Sequence, residues 1–359
     1  MAEAGPPAAS PAPAPAEGSP TLAELGEWEL IERLGSFAPA GQFQDDAALL
    51  QPEGTLVVNT DVLVEDVHFS EATTGPFAVG WRAAAANLSD LAAMGCSEAT
   101  GLTVGLVAPP STPWSWVEQV YAGLRACLEP TGGHLLGGDC SSGRQRLLAI
   151  TALGPLPTAP DGAPLAVRRG DGRPGDLLVS TGPHGLSRLG LALLLGELTH
   201  EQRACLPVEL VARAIEAHHS PRPRFDAIRR LRHCRPQGSP WRVGGTDSSD
   251  GLAAAAEAIA RASDCRALLE RATLPLDPAM APLPEAESWC LGGGEDFELV
   301  LALEPAWAEA LLGALPGSRR IGELAPAAPL LPSVGWLGEN PSLAPSSRGF
   351  EHFQKPAAS

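Results

Sequence analysis

The feature that most limits how this chain can fold is a series of aspartates set where apolar segments meet glycine and polar residues. They are Asp45 and Asp46 in QDDAALL, Asp61 in LVVNTD, Asp90 in NLSDLAAMG, Asp139 in LLGGD, and Asp247 with Asp250 in TDSSDG. Carboxylates beside core-forming sequence repel one another and are costly to desolvate unless a cation neutralises them. Hard oxygen donors suit Mg²⁺, and Mg²⁺ in turn suits a phosphorylated ligand. The pattern points to a phosphoryl-transfer enzyme.

Charge and missing motifs narrow this further. A net charge of -17 excludes a nucleic-acid backbone or an anionic membrane surface as partner, because both need a basic face. Lys355 is the sole lysine, so neither a Walker-type nor a Schiff-base lysine is available inside the domains. GxxxxGK[ST], HExxH and GxSxG are all absent, and the glycines after the strand DLLVSTG have the wrong spacing for a dinucleotide fingerprint, which disfavours P-loop kinases, zinc proteases, serine hydrolases and Rossmann dehydrogenases. Seven scattered cysteines without metal spacing read as reduced thiols of a cytoplasmic protein. No apolar run is long enough to span a bilayer.

With 359 residues and 44% hydrophobic content, the chain can build about two domains, and the patterning predicts α/β architecture in both. Residues 1–20, rich in Ala and Pro, read as a disordered tail. A first domain spans 21–160. Its helices are predicted from Thr21, over Phe77 to Met94 and over Trp114 to Leu128; its strands are predicted over Thr55 to Asn59, GLTVGLVA and LLAITALGPL. A Pro- and Gly-rich stretch from Thr158 to Pro174 leads into a second α/β domain over 161–335. There DLLVSTG reads as a strand, with helices over Pro207 to His219, Phe225 to Leu231 and Gly251 to Ala262, and strands at Glu298 to Leu303 and near Ile321. Residues 336–359 form a C-terminal segment.

Each candidate has a bland alternative. In AAAANLSDLAAMG, Asn87 and Ser89 offer neutral capping groups, which favours metal ligation for Asp90. Asp61 is expected to end a strand, where Asn59 and Thr60 could share its ion. Gly137 and Gly138 either let the backbone approach a phosphate or make a turn. Asp247 and Asp250 are ligands or N-caps of the helix that follows. His68 and Glu295 are polar residues beside apolar or glycine-rich sequence, and on this ground alone a structural role is the default.

DDAALL, TLVVNTDVLVEDVHF, NLSDLAAMG, LLGGD, RPGDLLVSTG, SPRPR, DSSDGL and GGGEDFEL follow one another in the order and approximate spacing of the thiamine-monophosphate kinases. The resemblance runs from about residue 25 to 353. It implies the aminoimidazole ribonucleotide synthetase-like fold, with the first domain supplying strands to a β-barrel shared across a homodimer. It also implies ATP and thiamine monophosphate as substrates, and several Mg²⁺ ions. Carried over by position, Asp46, Asn59, Thr60, Asp61, Asp90, Asp139, Asp247 and Asp250 would bind metal, with Asp61, Asp90 and Asp250 central to catalysis. Gly138, Asp139, Ser249 and Arg169, chosen over Arg168, would contact ATP, while His68, Glu295 and Phe350 would bind the acceptor. One departure is Phe43-Gln44, where the family usually has glycine before the aspartate pair. The alternatives are another ATP-dependent enzyme of the superfamily, or a non-catalytic Mg-nucleotide-binding homologue.

Overall fold

The computed structural model describes residues 18–43, 47–328 and 330–338. Helix α1 (Leu22–Leu34) starts where expected. The Thr21 hydroxyl accepts from the Glu24 N–H, and the Glu24 carboxylate accepts from the Thr21 N–H, so a capping box fixes its first turn.

The first half continues as β1 (Leu56–Val64), α2 (Pro76–Ala93), β2 (Gly101–Ala108), α3 (Trp114–Leu128), β3 (His134–Ser142) and β4 (Leu147–Pro155). The sheet order is β1-β4-β2-β3, with only the β2–β3 pair parallel. Alternation in β2 and β4 sends Leu102, Val104, Leu106, Leu148, Ile150 and Ala152 under α2 and α3, where all are buried. The opposite face leaves Val58 57% and Val62 42% exposed.

Two glycines bring α2 and α3 together. A Cβ on Gly80 would stand 1.9 Å from the Val120 carbonyl oxygen, and one on Gly123 would stand 2.0 Å from that of Phe77. At that separation the helices pack backbone against backbone.

The second half runs β5 (Leu177–Ser180), α4 (Leu186–Leu195), α5 (His200–Ala204), α6 (Val208–His219), α7 (Phe225–His233), β6 (Gly244–Asp247), α8 (Leu252–Ala262), β7 (Cys265–Leu269), α9 (Ala286–Gly292), β8 (Leu299–Leu303), α10 (Pro305–Ala314), β9 (Arg319–Pro326) and β10 (Val334–Trp336). Its six strands are ordered β10-β7-β9-β5-β8-β6. The main apolar cluster runs from Leu102 and Ile150 of the first sheet to Leu301 and Trp307 of the second half, so one core joins both. Helix α2 touches β1 and β4 on one side and β6, α6 and α7 on the other, which makes it the central element.

The expected mixed α/β architecture holds, but two local expectations change. Strand β1 extends to Val64, so Asp61 sits inside the strand and not at its end. Gly137, Gly138 and Asp139 likewise lie within β3. The β2–β3 register shifts between Leu102 and Thr103, and a Cβ at Gly138 would meet the Val104 carbonyl oxygen at 1.9 Å. Gly138 is therefore required by the neighbouring strand. Among the described residues, no helix is long and apolar enough to cross a membrane.

Candidate active site

Strand β1 and helix α2 build the first wall of a cleft of about 1000 Å³. Asn59 Nδ2 donates to Asp90 Oδ2 at 2.9 Å and to Asn87 Oδ1 at 3.2 Å. Asn87 Oδ1 also accepts from the Asp61 N–H, and Asn87 Nδ2 is anchored on the Ala83 carbonyl. Two amide side chains thus fix Asp90 one helical turn beyond Ala86, facing the cleft with Asp61. Among the described residues Asn59 Oδ1 is buried with no hydrogen-bond partner, an orphaned hard acceptor beside two carboxylates.

The second wall is the turn from β6 into α8. Asp247 is 6% exposed and accepts from the Ser89 hydroxyl at 2.8 Å. Helix α8 is capped by Gly251, so neither Asp247 nor Asp250 takes the N-cap position. Arg169 Nε donates to Thr246 Oγ1, and its charge is felt by both Asp90 and Asp247. Beneath the turn, the fully buried His184 pairs through Nε2 with Ser248 Oγ at 2.9 Å.

Electrostatics bind these walls into one unit. Burial, then Asp247 and Asp61, push the Asp90 carboxyl up to about 7, against a smaller opposing pull from Asn59 and Arg169. Burial also raises Asp247, to about 6; Ser89 and Arg169 oppose this while Asp61 and Asp250 add to it. Asp61 is raised by burial and then by Asp250. Four carboxylates thus repel one another across one cleft, and a divalent cation relieves that repulsion. Among the described residues, no three His, Cys, Asp or Glu side chains converge closely enough to hold one ion by themselves. The donor set fits Mg²⁺, which takes one or two carboxylates and completes its shell with water and phosphate oxygens.

At the other end of the cleft lie His68 and Glu295. The Val64 N–H donates to His68 Nδ1 at 3.0 Å, which places the ring proton on Nε2. Glu295 has φ 58 and Phe297 φ 51, a left-handed backbone that non-glycine residues seldom adopt. The Glu295 N–H donates to the Ser249 carbonyl at 2.7 Å, so this loop is tied to the β6–α8 turn.

GEDFEL gives its three acidic residues three separate tasks. Glu295 faces the cleft. Asp296 accepts from the N–H groups of Gly185 and Ser187, which holds the first turn of α4. Glu298 pairs with Arg224 of SPRPR and accepts from Thr181.

Thr60, Asp61, His68, Asp90, Asp247, Ser249, Asp250 and Glu295 all line this cleft. Asp139 does not join them within one chain. The register places Gly138 opposite Val104, which pairs with Ile150 and so with Asp61, three strands across the sheet. Asp139, one residue on, alternates to the face opposite Asp61, beside Gly105. Thr60 lines the cleft, but its hydroxyl is engaged across the sheet with Thr151 Oγ1 at 2.8 Å. Asp46 and Phe350 lie outside the described residues. Sequence reasoning missed Arg82, His184, His218, Arg224, Asp296 and Glu298. The visible signals were Arg82, a lone charge in an Ala-rich helix, and the motifs SPRPR and GGGEDFEL, which hold Arg224, Asp296 and Glu298.

The family described as AIR synthase related protein, N-terminal domain, matches residues 44–156. A thiamine-monophosphate kinase from Prochlorococcus marinus is 49% identical over 84% of this chain and 89% of its own. One from Synechococcus elongatus is 45% identical over 93% of this chain and 98% of its own. The solved structure of AaThiL complexed with AMPPCP and TMP superposes with TM-score 0.68 at 26% identity, covering 94% of this chain and all of that one.

Proposed function

The chain belongs to the thiamine-monophosphate kinase family, and on that premise we propose that its acidic cleft performs Mg²⁺-assisted transfer of the ATP γ-phosphate to thiamine monophosphate. The products are thiamine diphosphate and ADP. The observation that carries the reading is the mutual repulsion of Asp61, Asp90, Asp247 and Asp250 in the cleft that also holds His68 and Glu295.

The nucleophile is a phosphate oxygen of thiamine monophosphate, already anionic, so no strong general base is needed. Bringing two anionic phosphates together is the harder requirement. Bound Mg²⁺ screens their repulsion and favours in-line alignment. Asp61, Asp90, Asp247 and Asp250 would hold it, with Asn59 Oδ1 as a neutral donor; Asp46, Thr60 and Asp139 complete the proposed metal set. Arg169, Ser249, Gly138 and Asp139 are assigned to ATP, and His68, Glu295 and Phe350 to the acceptor. We place the domain division near residue 160, close to the end of β4.

A coupled assay of ADP release tests the reading. Turnover is expected with thiamine monophosphate and not with free thiamine, which lacks the nucleophilic phosphate. Comparable rates with both would refute it.

The assembly proposed is a homodimer in which a second copy covers the outer face of the first sheet, where Val58 and Val62 are exposed and β1 and β3 are edges unpaired among the described residues. Light scattering should find a particle of twice the chain mass. A fully active monomer would contradict this arrangement. A cytoplasmic setting is supported by cysteines that are all free thiols.

A further inference from the structure

Arg82 stands near the middle of α2 with only 3% of its surface exposed, and its guanidinium gathers groups from three separate segments. Nη2 donates to Glu295 Oε1 and, at 3.2 Å, to the His68 carbonyl. Nη1 donates to the His218 carbonyl at 2.8 Å and lies 3.2 Å from His218 Nδ1. Burial, and then the Arg82 charge, hold His218 far down at about 2, so its ring is neutral and Nδ1 can accept. Both terminal nitrogens are thus spent on protein groups, while Nε is buried with no hydrogen-bond partner among the described residues.

A purely structural buried arginine is best served by a buried carboxylate. Its partner here is Glu295, whose side chain stays 34% exposed in the cleft on a left-handed backbone. Arg82, Ala86 and Asp90 follow at i, i+4 and i+8, and all three line the same cleft. The rise of a helix separates Arg82 from Asp90 by about 12 Å. The small Ala86 between them leaves the floor open.

We propose that Arg82 is the positioning residue for the phosphate acceptor. It fixes Glu295 and the His68 segment at a set distance from Asp90, so one rigid helix spaces the acceptor end of the cleft from the phosphate-donor end. The inference rests on the thiamine-monophosphate reading.

The test compares wild type, Arg82→Lys, Arg82→Met, Glu295→Gln and the Arg82→Met/Glu295→Gln double variant in steady-state kinetics. Lysine keeps a charge near Glu295 but cannot bridge three segments. Arg82→Lys is expected to raise the KM for thiamine monophosphate about 10-fold or more and to lower kcat, with the KM for ATP unchanged. Arg82→Met should cost little more in a Glu295→Gln background than Glu295→Gln alone. Equal shifts in both KM values, additive losses in the double variant, or an Arg82→Lys protein that does not fold would each overturn the proposal. A wild-type protein inert toward thiamine monophosphate would instead sink the functional reading.

Discussion

Asp90→Asn is expected to lower kcat on the order of 10² to 10³ while leaving the protein folded. Asparagine keeps the shape that Asn59 holds from β1, but it removes the charge that Asp61 and Asp247 oppose. Raising Mg²⁺ should recover part of the rate if the lost charge acts through metal affinity. Stability of the metal-free protein should move the other way. Asp90 binds its proton more tightly folded than unfolded, so its contribution to stability is present at acid pH and is lost as pH rises through about 7. Above that pH the variant, with no carboxylate to desolvate, should melt at or above the wild-type temperature. Near-normal turnover at low Mg²⁺, or an apo variant that fails to fold, would make Asp90 a structural residue.

Gly80→Ala should destabilise the protein by about 3 kcal/mol or more. The new methyl would sit 1.9 Å from the Val120 carbonyl oxygen, well inside any tolerated contact, and backbone cannot give way as a flexible side chain does. Helices α2 and α3 must separate, and α2 carries Arg82, Asn87, Ser89 and Asp90, so activity falls with stability. Gly313→Ala in α10 is the control. Nothing lies within 4 Å of its added methyl, and the substitution should be neutral or stabilising by roughly 0.5–1 kcal/mol, through the higher helix propensity of alanine. Chemical denaturation of the two variants measures both signs. A Gly80→Ala midpoint equal to wild type would mean that the close helix contact is wrong.

Local pattern carried the helices well. Trp114 to Leu128 was expected as a helix and is one to the residue, because a long amphipathic segment needs no distant information. The strands fared less evenly. The polar trio Asn59, Thr60 and Asp61 read as a strand end, yet β1 continues because its inward face passes beneath α2 and the carboxylate enters the cleft in mid-strand. Paired glycines in β3 gave a turn signal, whereas Gly138 is there so that one strand can approach another. Short buried strands such as β6 and β7 carry too few residues for a period to register.

The site divides along the same line. Its carboxylates were legible because their chemistry is costly wherever it is buried. The Arg82 network was not, since the arginine meets His218 at a separation of 136 residues and Glu295 at 213. That Asp139 faces away from Asp61 could not be read before the strand register was known, because a single residue's slip reverses every side chain.

The central claim is that this acidic cleft passes phosphate from ATP directly to thiamine monophosphate with Mg²⁺ as its source of positive charge. Following the γ-phosphate label of ATP during turnover, across a Mg²⁺ titration that ends in excess chelator, tests it most directly. The account predicts label in the terminal phosphate of thiamine diphosphate, formed at a rate that climbs with Mg²⁺ and vanishes with chelator. Label released only as inorganic phosphate, or transfer indifferent to chelator, would contradict it.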